Sequence, residues 1–187
     1  LKSKGFVVDT SSIQTDISGN EKPIYLLAAD GMPTMIEGRG DFLLDATKKA
    51  ISHLSAKPEP FLLMVEGSQI DWGGHANDAD YLISELLDFD KAVGAAFDYA
   101  KEQGNTLVII TADHETGGFT LSSKQTRVAG LNSISDYNSI APTFSTGGHS
   151  ATMVPVLSFG PHSEQLMGIY QNTYIHKVML EAAKDKP

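Results

Sequence analysis

Three observations predict an α/β fold with a mostly parallel sheet and helices on both faces. Two apolar runs, Phe61–Val65 and the stretch Thr106–Thr111, have the length of buried strands, and such runs are tolerated only where both strand faces are covered. Between them Leu82, Leu86, Phe89, Val93, Ala96, Phe97 and Ala100 recur every three or four residues, the stripe of a core-facing helix. That helix would return the chain to the next parallel strand by a right-handed crossover. Each run also ends in a cluster of Asp, Glu and His, and the carboxyl ends of strands are where such sheets gather their ligands.

In chain order, Gly5–Val8 predicts a short strand and Asp9-Thr10-Ser11-Ser12 a turn. Ser18-Gly19-Asn20-Glu21-Lys22-Pro23 predicts a loop, and Ile24–Ala29 a strand ending at the turn residues Asp30-Gly31. Asp41 is placed to cap a helix reaching about Leu54, with Leu43, Leu44, Ala46, Ala50, Ile51 and Leu54 on one face. Lys57-Pro58-Glu59-Pro60 breaks the chain before the first buried run. On the long helix after His75, Asp88, Asp90, Lys91, Asp98, Lys101 and Glu102 are expected on a solvated face, and Gly104 is a natural stop.

Residues 119–146 are rich in Ser, Thr and Asn without strong periodicity, which predicts an excursion between two loops. A strand over Thr152–Phe159 is stopped by Gly160-Pro161. Asn172 or Thr173 then caps a last helix with Ile175, Val178, Met179 and Ala182 inward. His53, His162 and His176 sit on these outer pieces and are given no ligand role. No repeat and no interior boundary divides residues 1–187, which are expected to form part of one domain.

The chain has 187 residues, enough for one sizeable core, and its 41% hydrophobic and 20% charged content is ordinary for a globular protein. No apolar run approaches the ~20 residues of a membrane helix. A formal net charge of −9 disfavours nucleic acid as a partner, because phosphate backbones need a basic surface. An acidic protein still binds a small phosphate ester where a bound metal reverses the charge locally. With no cysteine, any zinc site here must use imidazole and carboxylate.

Three clusters supply those groups. The first run ends at Glu66, with Asp71 and His75 following it. The second ends in Ala112-Asp113-His114-Glu115-Thr116-Gly117-Gly118, and Thr146-Gly147-Gly148-His149-Ser150 precedes the third strand. The four-residue step from Asp71 to His75 would suit one helical face, but Gly73 and Gly74 between them argue for a loop. Together the three clusters point to one metal site assembled at a sheet edge.

The strings MVEGSQIDWGGH, TLVIITADHETGGF and TGGHSATMVPVLSFGP resemble those of the alkaline phosphatases and stand in the same order, from about Leu27 to the last helix. The resemblance implies two zinc ions and a magnesium. By motif, Asp71, His75 and His149 match the whole ligand set of one zinc. Asp113 and His114 match part of the second, and Glu66 matches one magnesium ligand. The family's serine nucleophile, its phosphate-binding arginine and the remaining ligands belong to an N-terminal half that this sequence does not match. Arg39 and Arg127 do not sit in the arginine's context, so no catalytic residue is assigned.

The resemblance thus implies the C-terminal portion of a phosphate monoester hydrolase, inactive alone, from a homodimeric, periplasmic or secreted enzyme. Trp72 is expected to pack over its loop, and Glu115 is left open. Two alternatives remain: another metalloenzyme of the superfamily, such as a cofactor-independent phosphoglycerate mutase, or a noncatalytic metal-binding module. The first resembles this sequence less well, since a Gly-Asn would follow the histidine where this chain has Glu-Thr-Gly-Gly.

Overall fold

A computed structural model describes residues 1–15, 22–127, 130 and 133–184. The first four residues of the loop expected over Ser18–Pro23 lie outside these. Strands β1 (Phe6–Asp9) and β2 (Lys22–Tyr25) pair in parallel. The strand expected to Ala29 ends early: Leu26 N–H still donates to Asp9 O at 2.9 Å, and no ladder follows. The expected turn after β1 is organised by Asp9, whose Oδ1 accepts from Ser11 N (2.7 Å), the Ser11 hydroxyl (2.7 Å) and Ser12 N (3.1 Å). Those bonds, the Ser11 N–H first, hold the Asp9 carboxyl well below the usual range.

Three helices follow: α1 (Phe42–Ser55), α2 (Gln69–Ala76) and α3 (Ala79–Gln103). Asp41 precedes α1 as expected, but its carboxylate takes the Lys91 ammonium of α3 at 2.7 Å instead of capping a backbone N–H. Asp78 does cap α3, its side chain accepting from Tyr81 N at 3.0 Å, and Gly104 ends that helix at φ 73°.

The loop expected through Gly73 and Gly74 is helix instead. Each glycine costs a helix about 1 kcal/mol relative to alanine, and close approach offsets that cost. A β-carbon at Gly73 would lie 2.7 Å from Leu82 N, and one at Gly74 2.9 Å from Thr116 Cγ2. Glycine here lets α2 nest against α3 on one side and the Thr116 segment on the other.

Further on come β3 (Val108–Ile110), β4 (Glu115–Thr116), β5 (Thr120–Thr126), β6 (Ile134–Thr143), β7 (His149–Ser150), β8 (Leu157–Phe159) and α4 (Thr173–Ala182). β3 pairs with β8, β4 with β7 and β5 with β6, all antiparallel. The excursion over 119–146 is therefore largely a hairpin. Of the four strand pairs among the described residues only β1–β2 is parallel, so the α/β class stands while the mostly parallel sheet does not describe these pairs.

The reason lies in Phe61–Val65. This run forms no strand, and no hydrogen bond among the described residues reaches its backbone. Phe61, Leu63 and Val65 are half-buried and line an apolar cavity with Phe89, Ala92 and Val108. Leu62 and Met64, on the alternate positions, are 73% and 79% exposed. One face is thus covered and the other bare, where the sequence predicts two covered faces. Among the described residues β3 likewise has a partner on one side only.

The α3 stripe also needs correction. Leu86 is 47% exposed, whereas Asp88, expected on the solvated face, is 1% exposed. Asp88 and the buried Glu85 enclose Arg39, whose Nη2 donates to Asp88 Oδ2 at 3.0 Å and to Glu85 Oε2. Burial pulls the Arg39 pKa down, but the bonds and charges of both carboxylates outweigh it and hold it above the usual value. Glu85 Oε1 accepts from Met35 N at 2.8 Å, so the triad pins the 33–39 loop to α3. Charge patterning alone does not distinguish a solvated aspartate from one that meets an arginine distant in sequence.

Candidate metal centre

Helix α2 presents Asp71 and His75 on one face, four residues apart, the arrangement that the glycines had argued against. Its first turn is anchored by the buried Gln69, whose Nε2 donates to Met32 O at 2.7 Å and whose Oε1 accepts from the Tyr81 hydroxyl at 2.8 Å. Its last turn ends at Asn77 in the left-handed conformation, φ 52°. Asn77 Nδ2 donates to Gly74 O and to Thr146 O, both at 2.8 Å, which ties the helix end to the loop carrying His149.

Strand pair β4–β7 brings in the remaining clusters, with Thr116 opposite His149 and Glu115 opposite Ser150. Gly117 N donates to Gly148 O at 2.8 Å and extends the junction. Gly117 has φ 86°, and a β-carbon there would stand 2.8 Å from Gly74 O, so only glycine fits between the loop and α2. Glu115 is a tie within this junction. Its Oε2 accepts from the Ser150 hydroxyl and its Oε1 from Phe119 N at 3.1 Å. The Ser150 bond chiefly holds the Glu115 carboxyl below its ordinary pKa.

Asp71 Oδ1 lies 3.5 Å from His75 Nε2 and 3.7 Å from His149 Nε2, and the two imidazole nitrogens are 3.2 Å apart. Tetrahedral zinc with ligand bonds of about 2.0–2.2 Å has ligand–ligand edges of about 3.4 Å. The triangle therefore has the dimensions of three corners of such a site. His75 Nδ1 donates to Gly147 O at 2.8 Å, so in the neutral ring the other nitrogen, Nε2, carries the lone pair. A lone pair facing a carboxylate oxygen and a second imidazole calls for a cation.

His114 stacks on His149 with ring centroids 3.7 Å apart, and Asp71, His114 and His149 each offer a ligand atom within 4.8 Å of the others. His114 Nε2 is 3.3 Å from Asp113 Oδ2, and the Asp113 side chain is 89% exposed. The six residues singled out in the sequence thus divide. Asp71, His75, His114 and His149 converge, with Asp113 at their margin. Glu66 is exposed, without hydrogen bond or ion pair among the described residues.

Residues 2–143 match the model of the family described as alkaline phosphatase. The chain belongs to the alkaline phosphatase family. Among relatives, Alkaline phosphatase 3 of Bacillus subtilis (strain 168) is 32% identical, the alignment covering 84% of this chain and 48% of that protein. Streptomycin-6-phosphate phosphatase of Streptomyces griseus is 35% identical over 70% of this chain and 31% of its own length. The alkaline phosphatase of the Antarctic bacterium TAB5 is 52% identical in sequence and similar in fold at a TM-score of 0.90, covering 100% of this chain and 54% of its own. A TAB5 variant with magnesium bound in its M3 site matches at a TM-score of 0.92. The chain spans about half the length of these solved structures and at most about half that of the curated relatives named.

The sequence clusters already name most of the residues that converge here. Their supports are harder to find. Asn77, just after a helical glycine pair, carries a C-cap signal. Thr116, Gly147 and the Glu115–Ser150 tie carry none, since each acts through a partner distant in sequence. Trp72 is 44% exposed and sits on helix α2, and its ring lies so near Gly31 that a β-carbon there would be 2.7 Å away, so it packs on a segment distant in sequence and not over a loop of its own. His176 is exposed on α4, and His53 lies on α1.

Proposed function

We propose that this chain forms the C-terminal, metal-binding part of a phosphate monoester hydrolase. One observation carries the reading: Asp71 Oδ1, His75 Nε2 and His149 Nε2 converge at 3.2–3.7 Å, the edges of a tetrahedral zinc site. Family membership supports the activity.

On this reading Asp71, His75 and His149 hold one zinc. Asp113 and His114 contribute to a second, and Glu66 to a magnesium. The metals when bound supply charge stabilisation to an in-line displacement at phosphorus. The residues here orient and neutralise. Gly147 O holds the His75 ring with its Nε2 free, and the Asp71 carboxylate offsets cation charge in a chain whose net charge is −9. The attacking serine and the phosphate-binding arginine are assigned to sequence outside this chain. The same holds for the strands that would complete a mostly parallel sheet beside Phe61–Val65 and β3. A homodimeric, exported enzyme is part of the proposal.

The test is a pair of measurements. Chelator-stripped chain, reconstituted with zinc and dialysed, should retain about one tightly held zinc, and His149→Ala should lose it. Hydrolysis of 4-nitrophenyl phosphate should be absent from the chain alone and present in the uninterrupted product of its gene. Turnover by the chain alone within the usual enzymatic range of about 1–10³ per second would overturn the division of labour. Failure to hold zinc would overturn the metal-binding reading.

A further inference from the structure

Thr116 touches both halves of the metal centre. Its hydroxyl donates to Asp71 Oδ1 at 2.5 Å, the same oxygen that faces His75 and His149. It also stands 3.2 Å from His114 Nδ1. A threonine hydroxyl has one proton to give. With that proton committed to Asp71, the oxygen serves His114 only as an acceptor. To donate to that oxygen His114 carries its proton on Nδ1, against the pull of the acceptor Asp113 Oδ2 at 3.3 Å from Nε2. The Nε2 lone pair is left facing that carboxylate, as a cation between them would require.

Sterics fix the rotamer that makes this possible. The Thr116 methyl lies against α2, where a β-carbon at Gly74 would come within 2.9 Å of Cγ2. β4 in turn is held to β7 with Thr116 opposite His149. With the methyl wedged against the helix, the hydroxyl is left facing the two ligands. A β-branched side chain has few ways to satisfy both demands.

We propose that Thr116 is a positioning residue that couples the two halves of the centre: through one hydroxyl it orients the Asp71 carboxylate and sets the His114 tautomer. The proposal rests on the metal-binding reading above for its zinc consequence. Its tautomer consequence is independent of that reading. Outer-sphere partners of this kind change metal affinity by about 10–100-fold.

The test compares Thr116→Val, which keeps the shape and removes the hydroxyl, with Thr116→Ser, which keeps the hydroxyl and removes the methyl. Zinc affinity is measured on the whole chain by competition with a chromogenic chelator. Thr116→Val should bind zinc about 10–100-fold more weakly, while Thr116→Ser stays within a few-fold of the parent. In metal-free protein labelled with nitrogen-15, imidazole shifts report the His114 tautomer. The parent and Thr116→Ser should show Nδ1–H, and Thr116→Val a mixture with Nε2–H. A merely structural threonine would move neither the tautomer nor the contrast between the two variants. Unchanged zinc affinity in Thr116→Val, or an unchanged His114 tautomer, overturns the proposal. If the parent itself holds no zinc, the metal reading fails on its own and the tautomer measurement still decides the role of Thr116. Circular dichroism of each metal-free variant confirms that a folded protein is being compared.

Discussion

The Nδ1 of His75, at the end of α2, donates to the backbone carbonyl of Gly147 at 2.8 Å, seventy-two positions along the chain. That bond latches two segments together, and on the metal-binding reading it also orients a ligand. His75→Ala should therefore have two effects. Zinc affinity should fall by more than the ~100-fold typical of losing an outer-sphere partner. Amide exchange across residues 146–148 should also quicken in the metal-free chain, where no zinc contributes to protection. Exchange at parental rates would show that Asn77, which also holds Thr146, suffices as the latch.

Gly74→Ala offers a reversal of an ordinary rule. An exposed helical glycine replaced by alanine gains about 1 kcal/mol. Here the added methyl would meet Thr116 Cγ2 at 2.9 Å and Thr116 O at 3.0 Å. The expected result is destabilisation of about 1–3 kcal/mol, the usual cost of overpacking, read as a lower urea midpoint. A rise in midpoint would mean that α2 and β4 separate more readily than their packing implies.

The Arg39 triad should dominate the stability of the first half. Removing one partner of a buried ion pair costs about 3–5 kcal/mol, because the other charge is left uncompensated. Two carboxylates share this guanidinium, and Asp88 Oδ1 and Arg39 Nε are buried with no hydrogen-bond partner among the described residues, so the group is already under-satisfied. Arg39→Ala is expected to cost at least that much in urea unfolding. Asp88→Asn should cost less, since one carboxylate remains to pair with the arginine. A small effect of Arg39→Ala would mean that the triad hydrates easily.

Acid should destabilise the metal-free protein through particular carboxylates. Asp9, Glu37 and Asp41 all have folded pKa values below their ordinary ones, held there by the Ser11 N–H, the Thr34 N–H and Lys91 respectively. A depressed folded pKa means that the unfolded chain binds protons first, so stability rises with pH across the interval. The contribution is full above the unfolded values of about 3.9–4.3 and is lost as pH falls through the folded ones. Melting temperature should be flat above about pH 5 and decline below about pH 4. Asp9→Asn should shallow that decline, and an unchanged slope would remove Asp9 from the account.

Much of the candidate centre is legible in the sequence because its residues stand beside apolar runs and within dense motifs. Asp71, His75, His114 and His149 could be named from those clusters, and the structure brings them together. What the sequence conceals is decided by spatial partners. Gly73 and Gly74 lower helix propensity locally, and only the approach of Leu82 and Thr116 explains why the helix persists through them. Asp88 sits among charged neighbours on its helix and is buried because Arg39 reaches it. The Phe61–Val65 run has the composition of a strand, yet composition says nothing of whether a neighbouring strand is present.

That run sets a practical limit on handling. Among the described residues its backbone donors and acceptors are unpaired and β3 has one open edge, and Leu62 and Met64 face solvent. Unpaired strands of this kind are templates for any extended chain, including another copy of the same molecule. Concentration should therefore govern the shelf life of the isolated chain more than temperature does, with light scattering growing steeply as the sample is concentrated. A lysine at position 64, on the bare face, is the kind of gatekeeper that natural edges use. Met64→Lys should keep the chain dispersed without disturbing the half-buried side that packs on α3.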